Sequence, residues 1–138
     1  MALTANSIMT PQAPKSAYVI YATAQATYPP TTNPTNTSLL LTAGANGARL
    51  TRLKGVPQET TGGAYVLQVF RSNDGGTTKY MAATAAGASD TVSSTDAPVE
   101  IDFGFSDDNP MILAANEKLY VAPSIAKTFC FVAEYADY

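Results

Sequence analysis

Glu100 and Asp102 stand two residues apart, and two carboxylates set side by side can serve as a general acid and base. In an extended chain residues i and i+2 share a face, so this pair falls on the polar side of segment 98–105. Val99, Ile101, Phe103 and Phe105 take the other side, which is the period-two pattern of a half-buried strand. Acids on the outward side of such a strand are solvated, and no proton chemistry is expected of them. Asp107-Asp108-Asn109 offers oxygens of the kind calcium takes, but it lacks the spacing of a calcium loop and leads into Pro110, as a turn does. The chain has no histidine and one cysteine, which excludes a histidine-assisted nucleophile and the usual zinc sites. Gly62-Gly63 and Gly75-Gly76 do not open a helix bearing Lys-Ser/Thr, so they are turns and not phosphate cradles. No enzyme, metal or cofactor is expected.

The remaining reactive or adhesive side chains point the same way. Cys130 lies in the apolar run Thr128–Val132 and reads as a buried, inert thiol. Of the eight tyrosines, Tyr18, Tyr21 and Tyr28 fall in the N-terminal part, and tyrosine suits interfaces that are apolar at one end and wet at the other. Only 14% of the residues are charged, against roughly 25% in average soluble domains. So few charges protect a free monomer poorly and suggest a surface that ends against a partner. The charges are also segregated. Residues 1–58 carry four bases and no acid, while residues 59–138 carry eleven acids and four bases, so +4 and −7 make the net −3. The two halves either pair within the chain or present complementary patches to adjacent copies. An acidic total without a basic aromatic cluster disfavours nucleic acid. No apolar run approaches a membrane span, and the first residues lack a signal-peptide pattern, so assembly in a cytoplasm is expected.

The elements that position these residues are short. Residues 1–14, with Pro11 and Pro14, read as an extended, uncharged N-terminal arm, and 15–138 as one β domain. Strands are expected at 15–25, 38–42, 48–56, 64–71, 77–84, 98–105, 111–114, 117–122 and 128–138. Gly, Pro, Asn and Asp turns separate them, and 27–37 is a Pro/Thr loop that cannot pair as a central strand. Ser72-Asn73-Asp74-Gly75-Gly76 is the strongest hairpin signal. Eight or nine short strands without an amphipathic helix predict an all-β sandwich, jelly-roll-like. The aromatic-rich segments 99–105 and 129–135 are expected to face each other across its core.

Four stretches carry a resemblance. They are Met-Ala-Leu-Thr-Ala-Asn-Ser-Ile-Met-Thr-Pro-Gln (1–12), Leu-Thr-Ala-Gly-Ala-Asn-Gly-Ala-Arg-Leu-Thr-Arg-Leu (41–53), Leu-Ala-Ala-Asn-Glu-Lys-Leu-Tyr-Val-Ala (113–122) and Phe-Val-Ala-Glu-Tyr-Ala-Asp-Tyr (131–138). Together they resemble small virion proteins of tailed bacteriophages, in particular capsid decoration (cement) proteins. The resemblance implies a β-rich protein that binds the major capsid protein lattice on the virion surface, as a trimer or other homo-oligomer, and braces it against internal DNA pressure. A neutral arm can lie on a neighbouring subunit or extend its sheet. With the tyrosines, this makes Leu3, Ile8, Met9, Pro11, Tyr18, Tyr21 and Tyr28 the expected capsid or subunit contacts. A tail, neck or fibre-base component and a jelly-roll carbohydrate-binding module stand as alternatives.

Overall fold

A computed structural model describes residues 10–11, 13–26 and 33–138. Nine strands run in chain order: β1 (Ala13–Tyr21), β2 (Ser38–Thr42), β3 (Ala48–Pro57), β4 (Tyr65–Ser72), β5 (Tyr80–Gly87), β6 (Ile101–Asp102), β7 (Met111–Leu113), β8 (Lys118–Pro123) and β9 (Phe129–Asp137). Every pairing is antiparallel: β1 with β9, β2 with β8, β3 with β6 and β7, and β4 with β5. Because β6 and β7 both lie along β3, they are two pieces of one interrupted strand. First then pairs with last, second with next-to-last, and so on inward, as in a long hairpin rolled up on itself. The added pairs β3–β9 and β4–β8 close the roll into two sheets, β1-β9-β3-β6/β7 and β2-β8-β4-β5. The chain is an all-β jelly-roll sandwich.

Alternating residues fill the space between the sheets. Phe129, Phe131 and Ala133 of β9 face inward with no exposure, as do Leu67 and Val69 of β4 and Leu119 and Val121 of β8. Tyr65 and Phe129 meet across the two sheets with ring centroids 4.8 Å apart and tilted by 56°, a favoured aromatic geometry.

The structure corrects four expectations. The segment 98–105 is a strand only at Ile101–Asp102. Gly104 takes a φ of +88°, and its N–H donates to Asp102 Oδ1 at 2.7 Å, so the chain turns out of the ladder. Val99 is consequently 60% exposed, although Phe103 and Phe105 still tuck against the core. This segment does not face β9 across the core either, since both belong to one sheet with β3 between them. The return strand of the 72–76 hairpin begins at Tyr80 and not Thr77, because Asp74 accepts the Thr78 N–H and Ser72 Oγ accepts the Gly76 N–H. Finally, β1 starts at Ala13 and ends at Tyr21, so Pro14 belongs to the sheet and not to an arm. An edge strand tolerates the missing donor.

One turn is sharply specified. Gly47 has a φ of +89°, and a Cβ there would run into the backbone oxygen of Leu113. Gly47→Ala combines a left-handed backbone with a clash against rigid main chain and is expected to cost about 2–3 kcal/mol, read from the denaturant midpoint.

Candidate protein-binding surface

The two sheets differ in what lies on their outer faces. On β2-β8-β4-β5, Gln68, Phe70 and Ala122 point away from the core yet are fully buried. Residues 22–26 lie over Gln68 and the end of β8, and 33–36 run beside β5. The Gln25 N–H donates to Pro123 O of β8 at 2.8 Å, and Gln68 Nε2 of β4 donates to Gln25 O at 3.1 Å. Asn33 donates to Thr77 O and accepts the Lys79 N–H, both at 2.8 Å, beside β5. The middle of this face is thus covered by its own chain, while Leu39 of β2 and Tyr80 of β5 stay exposed at its sides.

The outer face of β1-β9-β3 has no such cover among the described residues. Strand register arranges it in four rows: Ile20–Cys130–Val56, Tyr18–Val132–Lys54–Asp102, Ser16–Glu134–Arg52, and Pro14–Ala136–Arg49–Ile112. Tyr18 is 69% and Ile20 65% exposed. The face therefore grades from apolar at one end to charged at the other. At the charged end, Pro11, Pro14, Ser16, Glu134, Arg49 and Asp107 line a groove of about 560 Å³ floored by Ala136, whose small side chain leaves the space.

Two of the four bases of the first half, Lys15 and Lys54, pair with acids of the second. Lys15 bonds Asp137 at 2.5 Å, and that hydrogen bond and charge hold its ammonium pKa above the ordinary lysine value. Lys54 pairs with Glu100 at 2.9 Å, Arg52 stands in register with Glu134, and Arg49 donates to the Asp107 carbonyl. Lys15–Asp137 and the Arg52–Glu134 register have a topological reason: the basic strands β1 and β3 flank the acid-bearing β9. Glu59 is held below the usual glutamate range, first by the Thr128 hydroxyl, then by the Thr128 N–H and Lys127.

Of the expected contact residues, Leu3, Ile8, Met9 and Tyr28 lie outside the described residues. Pro11 borders the groove and Tyr18 stands out from the face. Tyr21 does not join them. It is three residues from Tyr18, hence on the opposite side of β1, opposite inward-facing Phe129 and half-buried. Cys130 is half-buried on the outer face between Ile20 and Val56, not in the core. Ile20, Val56 and Val132 join Tyr18 on this face, outside the expected contact residues. Their alternation with Val19, Gly55 and Phe131 was the available signal, but a strand apolar on both faces hides which side is bare. The acids examined for chemistry are dispersed: Glu100 is engaged by Lys54 and Asp102 by the Gly104 N–H, and no metal-binding group of three His, Cys, Asp or Glu occurs among the described residues.

No family model and no curated protein matches the chain. Among solved structures, it is similar to the Eiger TNF of S. frugiperda, with a TM-score of 0.52 and 12% identity over 94% of this chain and 96% of that one. At that identity the likeness concerns the jelly-roll fold.

Proposed function

We propose that the chain is a structural protein of a tailed-phage virion, a head decoration protein that binds the major capsid protein lattice and stabilises it without catalysing a reaction. The observation that carries this reading is the outer face of β1-β9-β3, uncovered among the described residues, apolar at Ile20, Cys130, Val56 and Val132 and charged around Arg52, Glu134 and Arg49. Apolar area bordered by polar groups is the anatomy of a protein interface. The middle of the opposite face is already occupied by the protein's own chain around Gln25, which favours the β1-β9-β3 face as the partner surface. The resemblance of 1–12, 41–53, 113–122 and 131–138 to small tailed-phage virion proteins, decoration proteins in particular, supports the major capsid protein as the partner. A capsid offers many identical sites, so modest contacts add up when copies also contact each other.

Co-sedimentation of purified chain with heads of the phage that encodes it tests the proposal. Saturable binding to heads is expected, and Val132→Glu, at the centre of the face, is expected to weaken it about 10-fold or more. Binding to isolated tails but not to heads would move the chain to the tail or neck. Binding to neither sinks the virion reading.

A further inference from the structure

We infer that two copies of this chain associate edge to edge through β1, joining their β1-β9-β3 sheets into one continuous sheet about a two-fold axis. β1 is an outermost strand of its sheet, and among the described residues none of its backbone groups is bonded outside the β9 ladder. Natural edge strands are kept from pairing by charge, proline, bulges or brevity. β2 is short and bulged, β6 and β7 are fragments, and β5 carries an irregularity opposite Val69 and Phe70. β1 pairs with β9 without a register shift over nine residues. Its proline and its lysine sit at one end, leaving Ser16-Ala17-Tyr18-Val19-Ile20-Tyr21 uncharged and rich in β-branched and aromatic residues.

The occupant this edge fits is a second β1. With Val19 on the axis, antiparallel pairing sets Tyr18 of each copy directly opposite Ile20 of the other, on the same outer face. Aromatic–β-branched pairs of this kind are favourable cross-strand contacts, and both residues are about two-thirds exposed in the single chain. No like charges meet, because the nearest one, Lys15, is held by Asp137 at 2.5 Å. At about 30 Å² per interface residue, six residues from each copy bury on the order of 400 Å² in total, so the pairing is a weak, concentration-dependent association. The two outer faces then lie on one side with their apolar ends adjoining, so the dimer presents a doubled surface. It closes at two copies, one of the homo-oligomers that the resemblance allows beside a trimer.

Analytical ultracentrifugation of the full chain between roughly 10 and 200 µM, the range in which an interface of this size associates, tests the dimer without any capsid. The wild type is expected to be a concentration-dependent dimer. Two double variants, both checked for folding by circular dichroism, separate this pairing from other modes. Tyr18→Lys/Ile20→Lys sets like charges opposite each other across the axis, whereas Tyr18→Glu/Ile20→Lys removes the same apolar groups but sets opposite charges together. The first is expected to dissociate about 30-fold more readily than the second. Equal weakening of both, no weakening of either, or a trimer overturns the inference. So does a monomeric wild type, and if the same variants then lose binding to phage heads, the edge is assigned to the capsid subunit.

Discussion

Phe131→Ala is expected to lower the folding free energy by about 3–5 kcal/mol, the range for deleting a fully buried phenylalanine side chain. Phe131 has no exposure and sits in the middle of β9, where that strand is flanked by Val19 of β1 and Gly55 of β3. Its ring lies 6.5 Å from that of Phe129, so truncation opens a void beside the largest aromatic cluster of the core. Neither flanking strand can move in to fill it without breaking ladder hydrogen bonds, and the cost falls at the upper end when a site cannot collapse. A domain with about 5–15 kcal/mol of total stability is left marginal by such a loss. Urea unfolding at constant m-value reads the change. Val132→Ala is the internal control. It removes atoms from the half-exposed outer face one residue away and is expected to change stability by less than about 1 kcal/mol.

The second large effect concerns Arg71 and Glu117, which lock the β7–β8 turn to the end of β4. Glu117 is almost wholly buried, and its carboxylate accepts from Arg71 Nε, from Arg71 Nη2 at 3.0 Å and from the Ala114 N–H at 3.1 Å. Arg71 also donates to Ile112 O at 2.7 Å. Burial by itself pushes the Glu117 pKa up, but the arginine bonds, the Ala114 N–H and the arginine charge outweigh it, and the pKa is lowered. A lowered pKa in the fold means that the carboxylate's contribution is complete above the ordinary glutamate value of 4.5 and is lost as pH falls below it. Arg71→Ala leaves a buried carboxylate unpaired at neutral pH. Because the arginine side chain is itself about one-third exposed, the expected loss is about 2–3 kcal/mol, less than for a wholly buried pair. Without its partner, burial dominates and the Glu117 pKa rises. The gap between variant and wild type should therefore narrow as pH is lowered and the carboxyl protonates. Denaturant midpoints from pH 7 to pH 4 check this, and a gap independent of pH would contradict the assignment.

How much of this was legible before the structure depends on the residue. Phe129, Phe131 and Ala133 alternate with Cys130, Val132 and Glu134, so the inward face of β9 follows from period two alone. The same rule places Tyr18 and Tyr21 on opposite faces, since an odd separation cannot share a side. What alternation cannot supply is the order of strands. That Lys15 meets Asp137 across 122 positions follows from the first strand pairing with the last, which is a property of the roll and not of either segment. The cover over Gln68 was hidden for a related reason. Gln68 interrupts the apolar run from Tyr65 to Phe70, and a polar residue there hints at a specific partner. The partner is a backbone oxygen at Gln25, 43 residues earlier in an otherwise unremarkable stretch. Segment 98–105 misled because Gly104 fits a strand's spacing while its positive φ breaks the ladder. The outer face of β1-β9-β3, uncovered among the described residues, carries the functional reading and became visible only once the middle of the other face was seen to be covered.

Electron cryomicroscopy of phage heads saturated with the purified chain bears most directly on that reading. The expected result is jelly-roll density over the head lattice, with the β1-β9-β3 outer face turned toward the major capsid protein and the β2-β8-β4-β5 face turned away. Density confined to the tail or neck, or heads left bare at saturating chain, would contradict it.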